Sequence, residues 1–332
     1  MKGFLDLLKD PKLRELRGCL NKDVDPKTVT ERFNLITTEN PKYDNSFLWV
    51  LCSGDDYIPK VLEYIEANYQ HFHQVLDSQF PKLMTKKRGF ISRMWEMVIV
   101  DTISAEGKLI PKSQTGPDLQ LEKDSRQRIQ IEIVAPDESD DTALRSNRPH
   151  YDESGFYSGG GDVEDLERPI ILRFLQGFDE KANENRGVQT PFIVAINTSK
   201  VVGLISRDEY VLRRALFGLG YDTITRKPDG SYHSGLQQNP LANKPDKPSF
   251  PVARFRDPKY SHVSGVIYSS QNPTSLLPGG SGWTNSGIVY VPNPMASNPA
   301  DVDFDFFKRI NCNEQIYEEI SEKKAFESRV VV

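Results

Sequence analysis

The clearest alternation of apolar and polar residues in the chain lies between Gly116 and Pro136. Two strand-like runs, Pro117 to Glu122 and Arg128 to Val134, flank a polar segment of the length that a β-hairpin turn tolerates. Alternation assigns the apolar members to the core face, namely Leu119, Leu121, Ile129, Ile131 and Ile133. The other face carries Asp118, Gln120, Glu122, Arg128, Gln130 and Glu132. We therefore predict a β-hairpin with one apolar and one polar face.

Apolar residues at helical spacing predict several helices on either side of this hairpin. The first follows a turn and cap at Ser53 to Asp56 and ends near Phe80. The second runs from Phe90 to Ile103 and stops before Gly107, and its Glu96 lies at the edge of the apolar stripe, like a surface residue. The third is opened by Pro169 and covers Ile170 to Asn185. A fourth covers Arg207 to Gly218, with Gly220 as its stop.

Further strands are predicted from short apolar runs. Pro191 to Thr198 is continuously apolar, which is typical of a buried central strand. Together with the preceding helix, this strand and the hairpin form a crossover unit, which implies parallel pairing. Shorter strands are predicted at Phe47–Cys52, Lys108–Ile110, Gly265–Ser269 and Gly287–Val291.

Two long stretches read as irregular. Asp137 to Arg168 is rich in Asp, Glu, Ser and Gly and predicts a mobile loop, which is either a lid over a site or simply disordered. Asp222 to Pro258 is crowded with Pro, Asn, Lys and Gly, and we expect it to be irregular. The predicted organisation is a helical N-terminal extension (1–85), an α/β core (86–222) that contains the loop 137–168, and a C-terminal extension (223–332) that adds strands to the core. The fold class is α/β with a mixed central sheet.

Composition limits the possible functions. The chain has 332 residues, of which 37% are hydrophobic, so it can bury a large core. Its net charge of −5 argues against a strong non-specific nucleic-acid binder, although a local basic patch could exist. The three cysteines are widely spaced and suggest reduced thiols in a cytoplasmic protein. Because no run of about 18 apolar residues occurs, we expect no membrane span.

The hairpin carries the candidate chemistry. With the turn centred on Ser125, Asp118 stands opposite Glu132, and two opposed carboxylates have Cβ atoms roughly 5 Å apart and repel each other. Either both point into solvent, where water and salt screen the repulsion, or a cation lies between them. Mg²⁺ takes oxygen ligands from one or two carboxylates and keeps several waters, so such a site would suit phosphoryl chemistry.

Between Arg88 and Ser199 the chain resembles the PD-(D/E)xK nucleases, the restriction-endonuclease-like superfamily, and in particular a bacterial branch of it. The resemblance rests on Asp118 after Gly116-Pro117, on Glu132 within an apolar strand, and on the flanking pairs Trp95-Glu96 and Ala135-Pro136. It implies a helix, a mixed sheet with a central hairpin, a crossover helix and a strand. It also implies an endonuclease-like phosphodiesterase that acts on DNA or RNA with Mg²⁺ or Mn²⁺. Asp118, Glu132 and the carbonyl of Ile133 would bind the metal, with Glu96 as a possible addition, and Gln130 could orient the attacking water or the phosphate.

One position departs from the family pattern, because Val134 occupies the place of the motif lysine. Some members of the superfamily supply this lysine from the helix that follows the hairpin, where this chain has Lys181. Its ammonium could neutralise phosphate charge and help to position water, or it could reach from a core helix into solvent. The substitution also leaves open a catalytically inactive, nuclease-derived binding or regulatory protein. A third hypothesis is a hydrolase or transferase that acts on another substrate through His150 in the long loop.

Overall fold

The computed structural model describes residues 57–85, 89–111, 116–123, 127–137, 163–201, 208–226, 228–238, 241–244, 247–277, 287–302 and 308–309. The chain forms two compact units. One combines Met1–Arg126 with Gln271–Gly287, and the other combines Gln127–Ser270 with Ile288–Val332. The boundary falls between the two strands of the predicted hairpin, so each strand belongs to a different unit. The strand predicted at Phe47–Cys52 and the His150 loop segment lie outside the described residues.

Among its described residues, the first unit has three helices before its strands: α1 (Tyr57–Phe72), α2 (Phe80–Thr85) and α3 (Phe90–Ile103). The prediction of a single helix ending near Phe80 is wrong, because α1 already ends at Phe72. The carbonyl of Phe72 accepts the N–H groups of Val75 and Leu76 at 2.8 and 3.0 Å, which closes the helix. Asp77 then accepts the N–H of Gln79 at 2.7 Å and starts the next turn.

Helix α3 has the predicted bounds and is the centre of this unit. Both α1 and α2 pack against it, and the hydroxyl of Tyr64 in α1 donates to Asp101 Oδ2 at 2.6 Å. Its buried side chains occupy more than one face of the helix, and they include Phe90, Ile91, Met94, Trp95, Met97, Val98, Ile99, Val100 and Ile103. A helix that is apolar on most sides must be covered on most sides.

Two paired strands follow α3 in this unit. Strands β1 (Lys108–Ile110) and β2 (Leu119–Lys123) pair antiparallel, with Leu109 opposite Leu121. Gly107 immediately precedes β1, and its backbone lies close to that of β2, since a Cβ on Gly107 would lie 2.6 Å from the carbonyl oxygen of Glu122. Only glycine fits this position without a shift of the backbone.

The second unit contains the main sheet and two β-ribbons. Its strands are β3 (Gln127–Val134), β4 (Phe192–Asn197), β5 (Leu219–Arg226), β6 (Tyr232–Gln238), β7 (Leu241–Lys244), β8 (Lys247–Pro251), β9 (Gly265–Ser269), β10 (Val289–Pro292) and β11 (Lys308–Arg309). The α-helices in the part of this unit that the structure describes are α4 (Val163–Glu184) and α5 (Asp208–Leu212). Helix α5 continues into a π-turn, Arg213–Phe217, which Gly218 ends in the left-handed conformation at φ 69°.

The main sheet of this unit is mixed, as the sequence predicts. Strands β3, β4 and β9 pair in parallel, β10 pairs antiparallel with β9, and β11 pairs in parallel with β10. Strand β4 is the centre of the parallel part, and all six of its residues are buried. Helix α4 connects β3 to β4 and packs on β4, which confirms the crossover connection.

Helix α4 starts earlier than predicted. Val163 to Arg168 is helical and does not belong to the loop, and Pro169 lies inside the helix instead of opening it. This first part of the helix has the sequence VEDLER, in which leucine, arginine and the two glutamates are good helix formers. A charged composition therefore does not by itself indicate a loop here.

The prediction that Asp222–Pro258 is irregular is also wrong. Strands β5 and β6 form one antiparallel ribbon, and β7 and β8 form a second one. The turn of the first ribbon contains Gly230 at φ 86°, a conformation that glycine adopts without strain. Proline and glycine here mark ribbon turns.

An apolar cluster fills the described part of the second unit between α4, the sheet and the π-helical turn. Its aromatic members include Phe174, Phe178, Phe192, Phe217, Phe255, Tyr260 and Tyr268. Within the described part of the chain, every helix is too short or too polar to cross a membrane.

Candidate functional site

The candidate site lies where helix α4 crosses strand β3. Ile129 and Ile131 are fully buried on one face of β3, and Glu132 and Val134 alternate onto the other. Helix α4 covers Val134 through a glycine, because a Cβ on Gly177 would lie 3.3 Å from Val134 Cγ1 and 3.7 Å from the Cγ of a nearby proline, Pro136. Gly177 therefore allows the helix backbone to approach the strand closely.

Lys181 stands one helical turn after Gly177, on the same face of α4. Its Nζ lies 3.4 Å from Glu132 Oε2 and 3.2 Å from Glu184 Oε2. The exposed fraction is 20% for the Lys181 side chain and 9% for that of Glu132. Four residues of a helix and two residues of a strand cover nearly the same length. The contact of Gly177 with Val134 therefore places Lys181 beside Glu132.

This geometry decides between some of the sequence alternatives. Glu132 does not point freely into solvent, since it is buried and lies against an ammonium. Lys181 does not reach into open solvent, since its side chain is 20% exposed and its Nζ approaches Glu132. Val134, at the position of the motif lysine, serves as the packing surface for Gly177.

Asp118 and Glu96 belong to the first unit. Asp118 is half-buried and immediately precedes β2. The expectation of a surface Glu96 is wrong, because this residue is 5% exposed and forms an ion pair with Arg93 one turn earlier on α3. The sequence argument assumed that only one face of the helix is buried, whereas α3 is buried on most of its circumference.

Gln130 and Ile133 complete the predicted set, and both are half-buried on β3. The N–H of Gln130 donates to the carbonyl of Pro191 at 2.9 Å, and Ile133 is paired with Ala195 of β4. Their backbone positions are therefore fixed by the parallel pairing of β3 with β4.

A polar clamp, which the sequence did not reveal, anchors α4 two residues before Lys181. Arg254 donates to both carboxylate oxygens of Asp179, from Nε to Oδ1 at 2.7 Å and from Nη2 to Oδ2 at 2.6 Å. The hydroxyl of Tyr260 donates to Asp179 Oδ1 at 2.7 Å. Burial raises the pKa of the Tyr260 hydroxyl, and the hydrogen bond to Asp179 raises this pKa further. The clamp residues are 75 and 81 positions from Asp179, so no local pattern could have indicated them.

The described residues of this site could supply only a few protein ligands to a hard cation such as Mg²⁺. In the described ranges, no group of three or more His, Cys, Asp or Glu side chains is arranged to hold a metal ion. Mg²⁺ needs only one or two carboxylates when water supplies the other ligands, and Glu132 is a carboxylate of that kind. A metal bound here would therefore be weakly held by protein groups.

The chain matches no protein-family model, no curated protein and no solved structure. A function can therefore be inferred only from the residues of this site.

Proposed function

We propose that the chain is a Mg²⁺- or Mn²⁺-dependent phosphodiesterase with a restriction-endonuclease-like core, which hydrolyses nucleic acid. The observation that supports this proposal is the position of Lys181, whose Nζ lies 3.4 Å from Glu132 Oε2 although the two residues are on different elements. An ammonium held beside a strand carboxylate can offset the charge that develops on a phosphate during hydrolysis.

The roles of the residues follow from their chemistry. Glu132, the carbonyl of Ile133 and, on the sequence argument, Asp118 would hold the metal. Bound there, Mg²⁺ would lower the pKa of a water molecule and offset charge on the phosphate. Lys181 would bind a phosphate oxygen, and Gln130 would orient the attacking water.

Glu96 has a smaller part in this proposal. The resemblance makes it a possible further metal ligand, and its carboxylate is buried and paired with Arg93. Reduced, widely spaced cysteines favour a cytoplasmic setting for the activity.

The test combines metal binding with cleavage. Wild type, Asp118→Ala, Glu132→Gln and Lys181→Ala are titrated with Mg²⁺ and Mn²⁺ by calorimetry and incubated with plasmid DNA and with structured RNA. We expect both carboxylate variants to lose metal binding and cleavage. Lys181→Ala should keep metal binding while its cleavage rate falls by about 10²- to 10³-fold, as for the loss of one group that stabilises the transition state. Glu184→Gln is the matched control, because it removes the exposed partner of Lys181 and should keep full activity.

Cleavage that survives both carboxylate substitutions would refute the site. If wild type neither cleaves nucleic acid nor binds metal, whether substrate is present or not, the proposed enzymatic activity is refuted. The inactive binding protein would then be the better hypothesis, and the packing of Val134 on Gly177 is the observation that favours it.

A further inference from the structure

Lys181 lies in the last turn of α4, which ends at Glu184. The last four carbonyl groups of a helix have no partner within it, so the final turn frays unless other groups hold it. Side chains hold two carbonyl groups of this turn. Asn185 donates from Nδ2 to the carbonyl oxygen of Lys181 at 2.9 Å. The Nε2 of His262 lies 2.8 Å from the carbonyl oxygen of Ala182. The position of Lys181 therefore depends on contacts that the end of the helix makes.

His262 connects this last turn to the central strand β4. Its ring stacks on that of Phe192, the first residue of β4, with centroids 6.2 Å apart and an angle of 9° between the planes. Ser264 accepts the N–H of Phe192 on its Oγ at 2.8 Å and donates its own N–H to the carbonyl of Phe192 at 2.6 Å. The segment that holds the end of α4 is thereby fixed to the sheet that contains Glu132.

The clamp of Arg254 and Tyr260 on Asp179 holds the opposite side of the helix. Asp179 and Lys181 are two residues apart, which on a helix is a rotation of about 200°, so their side chains leave it in nearly opposite directions. Phe178 packs on the ring of Tyr260 beside this clamp, with centroids 5.3 Å apart. Because Lys181 approaches β3, helix α4 is held from both sides at the level of this lysine.

Backbone strain occurs next to the clamp. Among the described residues, Ala253 is the one non-glycine residue with a positive φ, and its φ of 62° and ψ of 46° are left-handed. The short 3₁₀ turn Arg254–Arg256 starts directly after it, and Arg254 Nη1 donates to the carbonyl of Pro251 at 2.7 Å. A residue with a Cβ keeps this conformation only where surrounding contacts determine it, and such positions are frequent at functional sites. Here the strained residue immediately precedes the one that holds Asp179.

We propose that Arg254, Tyr260 and His262 are positioning residues, which act through α4 to set the place of Lys181 beside Glu132. A lysine on the strand would be fixed by the sheet itself, whereas a lysine in the last turn of a helix needs this support. For catalysis the proposal rests on the proposed function, and it extends that function by naming the residues that hold its cation in place. When the clamp is weakened, the last turn moves and Lys181 Nζ leaves the position in which it can bind a phosphate oxygen.

The first measurement needs neither metal nor substrate. The coupling between Lys181 and Glu132 is obtained by urea unfolding in EDTA from a double-mutant cycle of Lys181→Met and Glu132→Gln, in the wild-type chain and in Arg254→Lys. Arg254→Lys keeps the charge but loses the two parallel hydrogen bonds to Asp179, so it should reduce the coupling to about half or less. Tyr260→Phe removes a single hydrogen bond to Asp179 and should reduce the coupling by a smaller amount.

Gly265→Ala is the matched control for a general loss of stability. Its new Cβ would lie 2.7 Å from the ring of Tyr290 on β10, so it should destabilise the sheet and leave the coupling of Lys181 to Glu132 as in wild type. A coupling that Arg254→Lys leaves unchanged would overturn the proposal. So would an equal loss of coupling in Gly265→Ala, or the absence of coupling in the wild type.

Cleavage of nucleic acid supplies a second readout. Arg254→Lys should lower kcat about 10-fold with little change in KM, because a displaced cation weakens the transition state more than the binding of substrate. In the Lys181→Ala background the same substitution should cause no further loss, since an effect that passes through Lys181 disappears with it. An equal loss in both backgrounds would overturn the positioning role.

The two readouts separate this proposal from the proposed function. If wild type cleaves no nucleic acid, the proposed function fails, and a coupling that depends on Arg254 still supports the positioning role. If wild type cleaves and the coupling is indifferent to Arg254→Lys, the positioning role fails and the proposed function remains.

Discussion

The ion pair between Lys181 and Glu132 allows a quantitative test of the site in the absence of substrate. At a separation of 3.4 Å, and with an effective dielectric constant of about 20, the attraction between the two charges is about 5 kcal/mol before desolvation. Both side chains are largely withdrawn from water, so desolvation offsets most of this attraction. We therefore expect a net coupling free energy of about 1–2 kcal/mol.

A double-mutant cycle measures this coupling directly. Lys181→Met, which keeps the apolar stem, Glu132→Gln and the double variant are unfolded with urea in EDTA and followed by circular dichroism. Each single substitution should cost about 1–2 kcal/mol, because it removes the attraction between these two charges, and the double substitution should cost less than the sum of the two single costs.

Glu184 provides the internal comparison. Its carboxylate is 3.2 Å from the same ammonium, but its side chain is 56% exposed. Coupling between Lys181 and Glu184 should be about 0.5 kcal/mol or less and should shrink with added salt. If the coupling of Lys181 to Glu132 is no larger than its coupling to Glu184, the buried pair does not form in solution and the proposed role of Lys181 is wrong.

Three further results are expected. Gly265→Ala should lose about 1–3 kcal/mol in urea unfolding, because the new Cβ would lie 2.7 Å from the Tyr290 ring, whereas Gly187→Ala, with nothing within 4 Å, should change stability little. Because the pKa of Tyr260 is raised in the folded protein, this residue stabilises the fold fully below about pH 10. Above that pH the tyrosine of the unfolded chain ionises first, so this contribution to stability falls as the pH rises. Tyr260→Phe should remove this part of the decline when melting temperatures are measured over a series of pH values. Arg254→Lys should lower the melting temperature even though the charge is retained, because an ammonium cannot donate to both oxygens of Asp179 as the guanidinium does; an unchanged melting temperature would contradict the clamp.

Local patterns predicted the elements whose ends are marked in the sequence. Helix α3 and strand β9 have the predicted bounds, and β4 differs from its prediction only at the ends. In each case the apolar run is bounded by residues that end an element. The ribbons were missed because proline, asparagine and glycine were taken to indicate irregular structure, whereas Pro228 and Gly230 lie in the turn of the first ribbon and Asn243 lies within β7.

The candidate site was predictable to the extent that it depends on spacing. Lys181 lies four residues after Gly177, and Glu132 lies two before Val134, so one contact between helix and strand implies the other. The burial of Glu96 and the clamp on Asp179 could not be predicted in this way. Both depend on side chains that are brought together by the packing of distant segments.

The central position of β4 has a consequence for how the protein acquires its structure. Its neighbours in the sheet are separated from it by long stretches of chain, since Gln130 pairs with Phe192 and Ile193 pairs with Gly265. Parallel pairing over such separations slows folding, because the chain entropy is lost before the contacts form. Until then the apolar segment Phe192–Asn197 is exposed, and a short, uncharged, β-prone run of this kind readily joins copies of itself. Slow synthesis at low temperature, or a chaperone that shields this segment, should therefore raise the yield of folded protein.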